Sequence, residues 1–307
     1  ANMPLQADPT TQYALADAFT VCDAYHCSIQ AQTNPNRLFL FTGTHDPLGR
    51  GGGPALFNTH DRLVADGGSP NAYTWTTYPE RLMEAGVGFQ IYQDMADNFT
   101  DNPLVGFQSY RRAHGASAAA EALLSRRTMT TRTLDGLKQD VLAGRLPQVS
   151  WIIASAAMSE HPSVSTPLQG ADYTAKVLDA LTADPRVWAR TVLLINFDEN
   201  DGLFDHVPPP APPARVSGRR IGATSIPADD EYHIHVQAAA DEPYLDRPYG
   251  LGMRVPLYVI SPWSKGGYVA SEVFDHTSIL RFLEARFGVH EPNISAWRRA
   301  VCGDLTS

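Results

Sequence analysis

Four points along the chain combine residue types able to do chemistry with a place at the end of a strand or the start of a helix. They are Thr33, the pair Glu160-His161, the pair Asp198-Glu199 with His206 close behind, and the pair Asp275-His276. A threonine hydroxyl is a weak nucleophile until something lowers its pKa, and a divalent cation held by carboxylates is the obvious agent. A helix start adds backbone N–H groups that point at an incoming anion. Asp198 and Glu199 are consecutive, so in an extended chain their side chains face opposite ways. Only a sharp turn after Phe197 lets both reach one ion. His161 and His206 are of the type that contacts a transferring phosphoryl group or protonates a leaving oxygen. Each residue also has a plainer use: Thr33 and Asp275 as helix caps, the acids as a solvated loop, the histidines as structural groups. His26, His45, His114, His233, His235 and His290 fall into no metal-binding spacing.

The elements that must position these groups read as an α/β protein. Five of the six residues from Val192 to Phe197 are apolar, and the run empties into Asp198, Glu199, Asp201 and Asp205. An unbroken apolar run is what a strand covered on both faces looks like, and open α/β sheets bind ligands beyond the carboxyl ends of their strands. At Thr33-Asn-Pro-Asn-Arg, Thr33 or Asn34 can cap a helix and Pro35 suits its first turn. Thr77-Tyr-Pro-Glu80 is a capping box that opens a helix stopped by Gly86, with a strand over 88–93 at once behind it. The rhythm recurs. Thr133 caps a helix ended by Gly144 before the strand starting at Val149, and Asp172 caps another before the strand over 191–197. The expected fold is three layers, α/β/α, around a largely parallel central sheet. The sheet resumes at Val255, and a last helix starts after Asp275 with Ile279, Leu280, Phe282, Leu283 and Phe287 facing inward.

Residues 1–12 lack periodicity and read as a poorly ordered lead-in, and the glycine-rich stretch over 43–54 reads as a flexible surface loop rather than a phosphate cradle. Residues 207–250 read as a long irregular insertion beginning in polyproline. Cys22 and Cys27 are spaced so that either a bridge across a bend or two reduced thiols would fit. The formal net charge of −9 disfavours nucleic acid and anionic membrane surfaces as partners, because both demand a basic footprint.

The strings Tyr13-Ala-Leu-Ala-Asp-Ala-Phe-Thr-Val-Cys-Asp-Ala-Tyr-His-Cys-Ser, Thr33-Asn-Pro-Asn-Arg, Trp75-Thr-Thr-Tyr-Pro-Glu-Arg-Leu, Asp97-Asn-Phe-Thr-Asp-Asn-Pro-Leu and Phe197-Asp-Glu-Asn-Asp-Gly-Leu-Phe-Asp-His-Val-Pro-Pro-Pro resemble the bacterial phosphatidylcholine-hydrolysing phospholipase C family, itself related to a group of bacterial acid phosphatases. The resemblance implies an alkaline-phosphatase-like fold and one phosphoesterase domain over residues 1–307. It also implies export to a secreted, periplasmic or cell-surface location, a phospholipid substrate at a membrane or micelle surface, and a covalent phospho-enzyme with one divalent metal ion. Thr33 matches the nucleophile, Asp198 and Glu199 match the paired acidic metal ligands, and His161 and His206 match histidines lining the phosphate site. Asn36 and Arg37 are expected among the substrate-binding residues. A choline head group needs aromatic faces around its quaternary ammonium, and Trp75 and Tyr78, with Tyr25 and Trp263, are of the right type. The family's opening strand ends in Glu-Asn-Arg, whose first two residues also hold metal, whereas the one Glu-Asn of this chain is Glu199-Asn200. The resemblance thus implies a domain that is N-terminally incomplete, with part of the metal shell missing and metal affinity weakened.

The expected activity is a phospholipase C reaction: phosphatidylcholine, or sphingomyelin, cleaved through a phospho-threonine intermediate to diacylglycerol and phosphocholine. Its rivals are an acid phosphatase acting on monoesters and an inactive remnant that binds phosphocholine lipids.

Overall fold

The computed structural model describes residues 10–97, 101–115, 117–200, 202–216, 219–235 and 244–307. In chain order the elements are α1 (Thr10–Ala18), β1 (Thr20–Cys22), α2 (Thr33–Thr42), α3 (Tyr78–Glu84), β2 (Phe89–Tyr92), α4 (Gln108–Ala113), α5 (Ala119–Thr128), α6 (Leu134–Leu142), β3 (Val149–Ile152), α7 (Pro167–Thr182), α8 (Pro185–Trp188), β4 (Leu193–Asn196), β5 (Arg215–Val216), β6 (Arg219–Arg220), β7 (Leu257–Ile260), β8 (Val269–Ala270), α9 (His276–Phe287) and α10 (Ala296–Val301). The class is α/β, as the alternation of patterns predicts. Of the expected lead-in, residues 1–9 lie outside the described residues, and α1 already starts at Thr10. No helix among the described residues is long and apolar enough to cross a membrane.

The larger sheet has the order β4-β7-β1-β8. β7 runs antiparallel to both β4 and β1, while β8 runs parallel to β1, so three strands share one direction and β7 is reversed. Shared direction has a consequence for chemistry. The C-terminal ends of β1, β4 and β8 come to one edge of the sheet, and the chain leaving them carries Tyr25, Asp198-Glu199 and Asp275-His276. That edge is where an open α/β sheet offers a crevice.

β2 and β3 form a separate parallel pair. A cavity of about 750 Å³ is lined by Ser150, Trp151 and Ile152 from β3 and by Leu193, Leu194 and Ile195 from β4. Among the described residues β3 pairs only with β2, and β4 only with β7. Leu193 packs on one core and Leu194 on another, as a strand covered on both faces should, while the cavity at its open edge leaves every residue of β4 half-buried. Below it, α2 and α9 pack against each other and divide two cores. One core gathers Phe41, Tyr78, Phe89 and Trp151, with Phe41 stacked on Trp151 at 5.2 Å between centroids. The other gathers Cys22, Tyr25, Leu257 and Phe274.

Local signals fared unevenly. The capping box at Thr77 is present, with the Thr77 N–H donating to Glu80 Oε2 at 2.8 Å. Asp172, expected as a cap, lies inside α7, which starts five residues earlier behind Thr166; Pro167 in the first turn marks that start. The glycine-rich stretch is ordered rather than flexible. The Asp46 carboxylate accepts the N–H groups of Arg50, Gly51 and Gly53 at 2.7–3.0 Å, so those donors are already used and cradle no phosphate. The insertion over 207–250 is also less irregular than its composition suggests. It holds the β5–β6 pair and a 3-10 turn over Asp229–Glu231, and Glu231 and Tyr232 are buried. All three cysteines are buried and unbridged.

Candidate active site

Helix α2 begins at Thr33 with Gln32 in the cap position and in extended backbone; the Gln32 side chain does not cap it, and Asn58 Oδ1 accepts the Asn34 N–H instead. The Thr33 hydroxyl is therefore free of the capping duty its position suggests. It donates instead to Glu199 Oε1 at 2.6 Å. One turn further along the same face, Arg37 Nε donates to Asp198 Oδ2 at 2.9 Å, while its Nη2 stands 3.2 Å from Asp101 Oδ1 and its Nη1 donates to the Asp101 carbonyl at 3.1 Å. Residues four apart on a helix are neighbours on its surface. Two consecutive acids leaving β4 thus meet two successive positions on one helix face, which resolves how adjacent side chains can serve one site.

Histidine 276 fixes that turn. Its Nε2 lies 2.7 Å from the Asp198 carbonyl oxygen and its Nδ1 lies 2.6 Å from the Tyr25 hydroxyl. A carbonyl only accepts, so Nε2 carries the proton; burial pushes the His276 pKa down, leaving the ring neutral, and Nδ1 accepts from the Tyr25 O–H. The ring is the first residue of α9, whose capping residue Asp275 accepts the Thr277 N–H at 3.0 Å and the Ser28 hydroxyl at 2.9 Å.

The electrostatics suit proton transfer. Burial pushes the Glu199 carboxyl up to about 7, with the Asp198 charge adding to the rise while the Thr33 hydrogen bond and Arg37 oppose it. Burial likewise raises Asp101 to about 6 against the pull of Arg37. Burial works against the Arg37 charge, but Asp101 and Asp198 outweigh it and hold the guanidinium protonated. Arg37, Asp101 and Asp198 open on the cavity between β3 and β4, and Glu160 lines it as well. Glu160 sits at φ 66° and takes a hydrogen bond from Gln12 Nε2 at 2.8 Å. Gly170 of α7 leaves the room it needs, since a Cβ there would collide with Glu160 Oε1. Burial holds this acid up at about 7.

The other expected site residues are placed elsewhere. His161 is exposed and its Nδ1 is taken up by the Ser163 N–H and hydroxyl at 3.3 and 2.8 Å. His206 has 84% of its side chain exposed and stands 3.7 Å from Asp205. Asn36 is fully buried, and its amide bonds the backbone of Ile29, Ala31 and Gln32; it ties the preceding loop to α2 rather than touching substrate. Tyr78 is a core residue whose hydroxyl donates to the Val289 carbonyl at 2.9 Å, and Trp75 packs on Tyr73 and Phe107. Size and aromaticity alone do not separate a core ring from a binding ring. Asp101 went unassigned at the level of sequence. Its signal was the Asp-Asn-Pro that ends the string from Asp97, where Asn102 caps a 3-10 turn and fixes the acid before it.

A closed protein shell for a divalent ion takes four ligands for zinc and more for calcium. Asp198 is engaged by Arg37 and Glu199 by Thr33, and among the described residues no three His, Cys, Asp or Glu side chains stand together as a metal site. The described residues do not by themselves make a shell for the implied ion.

A family model described as the Phosphoesterase family matches residues 5–290. A non-hemolytic phospholipase C of Pseudomonas aeruginosa is 60% identical over 98% of this chain and 42% of its own length. Phospholipase C A of Mycobacterium tuberculosis is 38% identical over 98% of this chain and 54% of its own. The chain thus spans about half the length of these relatives. Among solved structures, a protein in the alkaline phosphatase superfamily from Vibrio parahaemolyticus covers 99% of this chain and 64% of its own, with a TM-score of 0.49 and 13% identity.

Proposed function

The chain belongs to the Phosphoesterase family, and from that premise we propose that it is the bond-cleaving part of a phospholipase C acting on phosphatidylcholine. The observation behind this reading is the Thr33 hydroxyl 2.6 Å from a raised carboxyl, with Arg37 one turn along the same helix. The phosphodiester sits beside the Thr33 hydroxyl at the start of α2, with Arg37 one turn along the same helix face. Arg37 has five N–H donors, and its bonds to Asp101 and Asp198 leave some of them for phosphoryl oxygens. Thr33 Oγ1 attacks phosphorus in line as its proton passes to Glu199. The bond to the diacylglycerol oxygen breaks, and that oxygen takes its proton from water entering the open site. Water then cleaves the Thr33 phosphoester and phosphocholine leaves. A secreted or periplasmic location goes with this reading, since the lipid is met from outside.

Turnover of p-nitrophenylphosphorylcholine beside p-nitrophenylphosphate tests the substrate class. The diester is expected to be the better substrate; hydrolysis of the monoester alone would make the protein an acid phosphatase, and hydrolysis of neither would make it a binding remnant. The pH dependence follows from Glu199. Its carboxyl is protonated below about 7 and cannot then accept the Thr33 proton. The kcat/KM should rise about tenfold per pH unit from pH ~5 and level off above pH ~7. A Glu199→Gln variant should lose both the slope and most of the rate; a wild-type profile in that variant would take Glu199 out of the proton path.

A further inference from the structure

Phe204 is the most exposed large apolar side chain of the described residues, at 87%. It stands five residues beyond Glu199, the acid that takes the Thr33 hydrogen bond. It does not dangle. Both oxygens of the next residue, Asp205, are gripped by Arg254, Nε to Oδ2 at 2.8 Å and Nη2 to Oδ1 at 2.9 Å, and Arg254 in turn donates to the Asp23 carbonyl at 3.1 Å. That bidentate pair fastens the base of the loop to the end of β1. On the other side, Gly202 turns the chain at φ 86°, and Leu203 between them is also exposed. Across the Thr33–Glu199 pair, Asn58 Oδ1 accepts the Asn34 N–H at 2.8 Å, and the residue before it, Phe57, is half exposed. Exposed apolar side chains thus lie on the two segments that adjoin the candidate pair, Phe57 next to the residue that holds the Asn34 N–H and Phe204 five residues beyond Glu199. Large apolar side chains exposed together are a mark of an interaction surface.

We propose that this rim, formed by Phe204, Leu203 and Phe57, seats on a zwitterionic phospholipid surface and turns the mouth of α2 toward the head groups. The net charge of −9 selects against an anionic surface, and the rim itself offers apolar rather than basic contacts. Continuity with the Thr33 site selects lipid over a remote protein partner, because the same approach delivers the phosphodiester to the hydroxyl. The consequence for turnover rests on the phospholipase reading, whereas binding to the surface is measured apart from it.

The probe is co-sedimentation with phosphatidylcholine vesicles in a Thr33→Ala background, so that no lipid is consumed. Phe204→Ser is expected to lower partition about tenfold, the order that removal of one inserted apolar side chain implies, and adding Phe57→Ser to lower it further. In the chain with Thr33 intact, Phe204→Ser should leave turnover of soluble p-nitrophenylphosphorylcholine within about twofold of wild type while vesicle turnover falls with partition. Undiminished partition of the double variant, no partition of the parent, or equal losses on soluble and vesicle substrates would each overturn the proposal. Absence of any turnover with the partition effect intact would instead overturn the phospholipase reading and leave the surface standing.

Discussion

Replacing Thr33 by alanine is expected to lower kcat on p-nitrophenylphosphorylcholine by on the order of 10³-fold or more, the scale seen when an enzymatic nucleophile is removed and only binding and electrostatics persist. The fold should survive. Thr33 is the first residue of α2, no cap depends on its side chain, and alanine is the better helix former. What is lost is one hydrogen bond to a half-buried carboxylate, about 1–2 kcal/mol. Losing it also removes the strongest influence holding the Glu199 pKa down, so that carboxyl should titrate higher still. Thr33→Ser restores a hydroxyl at the same place and should recover a measurable fraction of the rate. Acid-quenched wild-type enzyme should carry a phosphocholine adduct on the peptide containing Thr33, detectable by mass and missing from the alanine variant. Wild-type turnover in Thr33→Ala would remove this residue from the mechanism.

The convergence behind that prediction was partly legible in the sequence. A hydroxyl at a helix start and an acid pair at a strand end are both local patterns, and the shared direction of β1, β4 and β8 brings them to one edge of the sheet. The partner of each acid was not legible. That Asp198 meets Arg37 depends on which face α2 turns to the strand end, and Leu38, Phe39 and Phe41 of that helix pack on elements remote in the chain. The aromatic candidates failed for the same reason. Tyr78 and Trp75 carry motif-like surroundings, yet their rings fill core space against Val289 and Phe107, contacts more than 30 residues away in sequence. The mixed pairing of β7 was equally invisible, since an apolar run of four residues reads the same in either direction. Asp172 shows the reverse error, for Pro167 rather than the local cap pattern decides where α7 starts.

Arg298→Met is expected to cost about 3–5 kcal/mol of stability, read as a lowered denaturation midpoint. Arg298 is 1% exposed and its guanidinium holds two acids at once: Nε donates to Glu231 Oε1 at 2.8 Å and Nη2 to Oε2 at 3.0 Å, while Nη1 donates to Asp275 Oδ2 at 2.9 Å. Removing the cation strands both carboxylates in the interior, and methionine of similar length fills the space without replacing a donor. Burial pushes the Asp275 carboxyl up, but the Arg298 charge with the Thr277 and Ser28 bonds outweighs it and holds the pKa below its ordinary 3.8. A depressed carboxyl adds stability above its unfolded pKa and loses it as pH falls through the folded one, so this contribution is present above pH 3.8 and fades in acid. The variant should therefore flatten the acid limb of the stability profile as well as lower it. Pairing Arg298→Met with Glu231→Gln removes one stranded charge and should recover part of the loss. Activity falls by the same route: Asp275 caps α9, and His276 at its first position holds the Asp198 carbonyl. A loosened cap lets the turn that aims Glu199 at Thr33 relax, so kcat should drop in the double variant even at temperatures where it remains folded. Wild-type stability and turnover in Arg298→Met would show that the buried cation supports neither the fold nor the site.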